Sequence, residues 1–355
     1  MPWRSICIGA TALLLATFLL TDTGMHAVRT HISTLSSNLQ ASSDDSVGYD
    51  RVGYGSSRIY IKPSGDRAPL PDVPYDEQLA VLTDHLPIRE NTTAWCVGGG
   101  MRGFAEPHVA SSLRESLINS WSGEIENAID DVLVYVSIAG NNVYTLSQLS
   151  AALSMVKPVQ FHLLHDEDLV PLPNNCSWRP GKYGTEVAHL ATVYWNIFRR
   201  MQVCYNHVTQ RELAQGWKYE FVMRHRPDAR WPTPLPFNIR TVTKERISIL
   251  KNHPGWTSAP DFFAAVPRQF ADVYFNAADV YYECVPEDTP WDEIHKWCTH
   301  WGQAIVSPNQ IDGDFAPECY LRKWLQEHDV ETEPFSYPEV TLYREDGTNV
   351  AHHFD

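Results

Sequence analysis

The chain has 355 residues, 43% of them hydrophobic, with 12 Trp, 16 Tyr and 13 Phe, which excludes a wholly disordered polymer. Against 43 Asp and Glu stand 28 Lys and Arg, a formal net charge of -15. That balance excludes the broad basic face that nucleic-acid binding needs, but a few local arginines would still suffice for a small anion.

The first element is the uncharged run Ile6 to Leu20, preceded by Arg4 and followed by Asp22. This asymmetry predicts a cytosolic tip and a luminal remainder. The run is shorter than the ~17–25 residues of a usual span, so a signal anchor and a cleaved signal peptide both stay open. The expected organisation is a tip and membrane segment over 1–21, a stem over 22–90 and a luminal domain over 91–355. The protein would sit in the Golgi or ER membrane, or be secreted if the segment is cleaved. The stem carries Ser-rich stretches and Pro63, Pro69, Pro71 and Pro74, with weak periodicity. Outside the apolar run are Cys96, Cys176, Cys204, Cys284, Cys298 and Cys319, an even set that permits three disulfides, with Cys284–Cys298 the first pair by proximity. Asn91-Thr92-Thr93 and Asn175-Cys176-Ser177 are glycosylation sequons, which makes Asn91 and Asn175 candidate modified residues.

From residue 94 the pattern alternates. Ala94–Val97 reads as a buried strand, Pro107–Trp121 as a helix with an apolar face of Val109, Leu113, Leu117 and Ile118, and Val132–Ile138 as a fully buried strand. A helix over Thr145–Val156 and a strand over Val159–Leu163 follow. The order strand–helix–strand–helix–strand predicts an α/β domain with a mostly parallel sheet. After a loop over 164–184, Ile197, Met201, Cys204, Tyr205 and Val208 mark a long helix that Thr185 would cap and Gly216 would stop. Tyr219–Arg224 reads as a strand ending at Pro227, Asp261–Val266 as another, and 268–278, 290–304 and 316–328 as helices.

Two segments carry candidate chemistry. Gly98, Gly99, Gly100, Met101, Arg102 and Gly103 leave a strand and enter a helix, where glycines admit a phosphate close to the backbone and Arg102 adds a cation. A dinucleotide would also need an acid at the end of the second strand, whereas Asp130 and Asp131 stand at its start. Arg224, Arg226 and Asp228 alternate onto one side of the chain after another strand. The two guanidinium groups suit a diphosphate, and the carboxylate suits a divalent metal. Asp312-Gly313-Asp314 is a second metal candidate in an expected loop. His352 and His353 read as tail residues. Trp291, Trp297, Trp301 and Trp324 suit either sugar stacking or core packing.

The blocks Ala94-Trp95-Cys96-Val97-Gly98-Gly99-Gly100-Met101-Arg102-Gly103-Phe104, Tyr219 to Asp228, Asp261 to Arg268 and Pro317-Glu318-Cys319-Tyr320-Leu321 together resemble an uncharacterised glycosyltransferase-like family found mainly in plants and algae. They bracket roughly residues 94–345. The resemblance implies a GT-A-like nucleotide-diphospho-sugar fold, a nucleotide-sugar donor and a glycan or glycoprotein acceptor. It also implies Mn²⁺ or Mg²⁺ held by Asp228, although Arg226 stands where the family fold usually has a first acid. Asp261 and Glu318 become candidates for the carboxylate base that an inverting transfer requires. Competing readings are a non-catalytic carbohydrate-binding or scaffold domain of the same fold and a NAD(P)-dependent oxidoreductase.

Overall fold

The computed structural model describes residues 82–123, 125–138, 145–165, 185–251, 259–278, 317–343 and 349–354. The apolar run, most of the stem, Asn175, the Cys284–Cys298 pair, the 290–304 helix with its tryptophans, and Asp312 and Asp314 lie outside the described residues. No described helix is long and apolar enough to cross a membrane.

The chain enters through 86–90, the last stretch of the segment read as stem. These residues bond to the backbone of Lys218 through Arg89 N and Pro87 O. Strand β1 (Thr92–Gly100) follows, buried almost throughout. Helix α1 starts with Pro107 in its first turn and covers Pro107–Ser112. It continues through a π-helical turn over Leu113–Ile118 to Ser122. The widened turn leaves the Ser116 carbonyl to accept from Leu235 N at 3.1 Å, which docks the proline-rich loop of Pro232, Pro234 and Pro236 along the helix. Next come β2 (Ile129–Ile138), α2 (Leu146–Val156), β3 (Gln160–His165) and the long α3 (Thr185–Gln215), which stops at Gly216. A capping box closes α2: Thr145 accepts from Gln148 N while the Gln148 side chain accepts from Thr145 N.

Strands β4 (Phe221–His225), β5 (Ala229–Arg230), β6 (Ile247–Leu250) and β7 (Phe263–Pro267) precede α4 (Arg268–Phe275) and α5 (Pro317–Glu327). Strands β8 (Thr332–Phe335), β9 (Tyr337–Tyr343) and β10 (Asn349–Phe354) end the described chain. The main sheet has seven strands in the order β3-β2-β1-β4-β7-β6-β8, and a second sheet has the order β10-β9-β5. In the main sheet β7 alone runs against its neighbours β4 and β6, while β3, β2, β1 and β4 are parallel, as are β6 and β8. The expected α/β class with a mostly parallel sheet is what the chain forms.

Period-two alternation sorts the core into two layers. Ala94, Cys96, Leu133, Tyr135 and Val222 face α3, α4 and α5, packing on Phe198, Tyr205, Val208, Tyr274 and Leu325. Trp95, Val97, Val132, Val134 and Met223 face α1, α2 and the proline-rich loop, packing on Leu113, Trp121 and Trp231. A disulfide, Cys96–Cys204, ties β1 to α3 across 108 residues of chain. It is a pairing that sequence proximity did not suggest. Arg268, the last residue of the third resembling block, forms a buried bidentate pair with Glu212 (2.8 and 2.9 Å) that locks α4 onto α3. Its role is structural.

Candidate functional site

Strand order reverses at β1. The chain spreads from β1 to β2 and β3 on one side, then returns to lay β4 on the other. In open α/β sheets the crevice outside the carboxyl ends of the strands at such a switch point is where ligands bind. Both segments that drew attention in the sequence end there.

Gly98, Gly99 and Gly100 form the end of β1 rather than the expected turn into a helix. They pair with Tyr135, Val136 and Ser137 of β2, and α1 begins only at Pro107. Pairing with β4 stops at Val97, so the other edge of the glycine segment is open. The fully buried Arg224 fills that edge, its Nη1 donating to Gly98 O at 2.6 Å and to His225 O at 2.7 Å. Burial pushes the Arg224 guanidinium below its ordinary pKa and Asp261 partly offsets this. Its Nε has no partner. Gly99 requires glycine on two grounds: its φ is +149°, and a Cβ would stand 3.0 Å from Pro227 Cδ. Gly103 is required by close approach, because a Cβ would fall 2.4 Å from Tyr343 Cβ.

Past the end of β4 a turn, in which Ala229 N donates to Arg226 O at 3.3 Å, places Arg226 beside Asp228. Nε and Nη2 of Arg226 meet the two carboxylate oxygens at 3.0 and 2.8 Å. Arg102, whose backbone takes the sparsely populated φ of 27°, donates Nη1 to Asp228 Oδ2 at 3.0 Å. The third guanidinium nitrogen of Arg226 reaches Asp261 Oδ1 at 3.3 Å, and its plane lies over the Phe262 ring. Asp228 and Asp261 are both 2% exposed. Burial raises the Asp228 carboxyl, but Arg226 and then Arg102 outweigh it and hold the group below its ordinary range. The same ion pairs outweigh burial at Arg226 and raise its pKa.

Glu318 stands in the first turn of α5, its backbone carbonyl accepting from Ala259 N at 3.0 Å. The residue as a whole is partly exposed, yet its carboxyl is desolvated. Burial, then the neighbouring Asp261 carboxylate, pushes its pKa up to about 8. The structure therefore brings together Gly98, Gly99, Gly100, Arg102, Arg224, Arg226, Asp228, Asp261 and Glu318, from strands β1 and β4, the segments after β1, after β4 and before β7, and helix α5. It separates the two acids: Asp261 is ion-paired to Arg226, while Glu318 is held mostly protonated at neutral pH.

The donor set does not fit the divalent cation that the resemblance implies. Mn²⁺ and Mg²⁺ want several oxygens free to face the ion. Here both oxygens of Asp228 accept from guanidinium groups, and among the described residues no three His, Cys, Asp or Glu side chains converge on a common point.

Other expected residues fall elsewhere. Asp130 bonds Trp95 Nε1 at 2.9 Å and Asp131 accepts from Arg211 at 2.8 Å, at the opposite edge of the sheet. Trp324 donates to Val273 O and packs on the core. Asn91 turns the chain into β1 with φ 57° and donates its N–H to Glu220. His352 and His353 lie in β10.

Three features of the site were not visible in the pattern. His225 is fully buried, accepts from Trp231 Nε1 at 2.9 Å, and is held neutral down to about 3 by burial and then Arg224. Tyr343 donates its N–H to Asp228 O, covers Gly103 and meets His108 Nε2 at 2.6 Å. The Tyr274 hydroxyl, electrostatically coupled to Arg224 and Asp261, is buried without a partner. No known family model matches the chain, and comparison with curated proteins finds no significant match.

Proposed function

We propose that the chain is a glycosyltransferase of GT-A-like fold that moves a sugar from a nucleotide-sugar donor to a glycan or glycoprotein acceptor in the lumen of the Golgi or ER, held to the membrane by Ile6–Leu20. The observation that carries this reading is the convergence at the switch point of a guanidinium cluster with a separate acid. In such a transfer the nucleoside diphosphate leaves, and negative charge grows on its phosphate oxygens; cations fixed in place beforehand stabilise it. Arg102 and Arg226 are the groups suited to that task. The acceptor hydroxyl must lose a proton, and a carboxyl titrating near working pH is best matched to taking it. Glu318 suits that role better than Asp261, whose carboxylate is engaged by Arg226. The disulfide Cys96–Cys204 supports an oxidising compartment. The NAD(P) reading loses support because Asp130 and Asp131 are engaged at the far edge of the sheet.

The test is release of nucleoside diphosphate by the full chain from a panel of UDP-, GDP- and CMP-sugars with mixed glycan acceptors. Turnover of one donor class, abolished in Glu318→Gln, is expected. Donor binding without turnover would favour the non-catalytic carbohydrate-binding or scaffold reading. Absence of donor binding by folded protein would end the proposal.

A further inference from the structure

We infer that the site grips the donor diphosphate without a divalent cation, Arg102 and Arg226 supplying the positive charge and Asp228 serving as their counter-ion instead of as a metal ligand. This rests on the nucleotide-sugar reading above and specifies how that site holds its ligand.

The argument starts from Asp228. Its carboxylate accepts three charge-assisted hydrogen bonds, two from the Nε and Nη2 edge of Arg226 and one from Arg102. A cation arriving at Asp228 must break these bonds and then sit beside the two positive charges it has displaced. A diphosphate meets the opposite situation. Its oxygens match the same guanidinium fork that now holds the carboxylate, so it can take over the fork by exchange, with charge attraction throughout. The neighbouring acids do not restore a metal site: Asp261 is engaged by the remaining nitrogen of Arg226, and Glu318 carries little charge at neutral pH. Among the described residues the centre thus sets the guanidinium groups of Arg102, Arg224 and Arg226 against the paired carboxyl groups of Asp228 and Asp261, a balance that favours an anion.

Access agrees with this assignment. The Arg102 side chain is 36% exposed and that of Arg226 18%, against 2% for Asp228. The two arginine side chains are thus more accessible than the carboxylate between them. Arg102 also sits on the loop that follows the glycine end of β1. Asp228 thus keeps two like charges together, ready to be shared with a ligand.

The experiment is calorimetric titration of the full chain with UDP, GDP and CDP, each in Mn²⁺ buffer and in EDTA. The expected result is one nucleotide whose Kd agrees within about threefold in the two buffers, with Arg102→Gln weakening it about tenfold in both, the worth of one charge-assisted hydrogen bond. Asp228→Asn should bind in EDTA at least as tightly as the natural chain, because it removes a competitor for the fork. Should that variant fail to fold, the two-buffer comparison on the unmodified chain decides alone. Binding that requires Mn²⁺, or is lost in a folded Asp228→Asn, overturns this inference and leaves the glycosyltransferase reading standing. Failure of all three nucleotides in both buffers overturns the two together.

Discussion

Replacing Arg226 by methionine keeps the length of the stem and removes the charge. In the folded chain it leaves Asp261 without its ion pair to Arg226 and Asp228 with Arg102 alone, both carboxylates being 2% exposed. Removing one partner of a buried pair costs about 3–5 kcal/mol. The Arg226 side chain is 18% exposed and Asp228 keeps one guanidinium, which argues for the lower end, about 3 kcal/mol. For a domain of this size that is a fall in Tm of roughly 6–12 °C. The pH dependence carries the sign. The folded-state pKa of Asp228 lies below its ordinary 3.8, so its ion pairs contribute stability above that pH, and the contribution is lost as pH falls through the folded value. The variant lacks most of that contribution. Its deficit should therefore be full at pH 7 and shrink in acid, at pH below 3.8, as Asp228 protonates in both proteins. Urea unfolding of the full chain across that range measures both quantities. A deficit under about 0.5 kcal/mol at pH 7, the scale of an ordinary surface substitution, would refute the claim that Arg226 neutralises a desolvated acid pair. So would a deficit that persists unchanged in acid.

Three further outcomes follow from the geometry. With Glu318 as base, turnover should rise with pH through about 8, and Glu318→Gln should remove that limb along with about 10²–10⁴ of rate; a surviving limb would assign the titration elsewhere. Gly103→Ala drives a methyl into Tyr343 Cβ at a cost of about 1–3 kcal/mol, and Tyr343→Gly, which removes that Cβ, should couple favourably with it in a double-mutant cycle. His225 is neutral in the fold down to about 3 and protonates near 6.5 when unfolded, so it draws stability away as pH falls between those values, on the order of 5 kcal/mol in full; His225→Gln, which can still accept from Trp231, should lack that part of the acid slope.

What the pattern revealed and what it hid divide along physical lines. β1, β2 and α3 were visible because parallel strands buried on both faces are nearly continuous apolar runs, and because a long packed helix repeats its apolar contacts every turn. β8 reads Thr-Glu-Pro-Phe at the sheet edge, where a proline costs no ladder bond, so its composition argues against a strand that nevertheless forms. β5, two residues long, and β6, four, are too short to show a period. At the site, the local members Arg224, Arg226 and Asp228 could be read from one strand end. The partners that decide their chemistry could not: Arg102 lies 126 residues from Asp228 and Asp261 lies 35 from Arg226, and nothing in local spacing announces a contact made by the sheet order.

The same reasoning explains why one acid at a strand end came to be read as a metal ligand and is found as a counter-ion. The turn that Ala229 N closes on Arg226 O brings the side chains of 226 and 228 together, and His225 and Pro227 are turned to other tasks, one bonding Trp231 and the other packed against Gly99. Two acids at positions 226 and 228 would present paired negative charge to the crevice and attract a cation. With arginine at 226 the pair sums to no charge, and Arg102 from the β1 loop makes it positive. On the diphosphate proposal, a single residue type at a position whose direction the backbone dictates thus reverses what the crevice would attract, from a metal ion that would carry the phosphate to the phosphate itself.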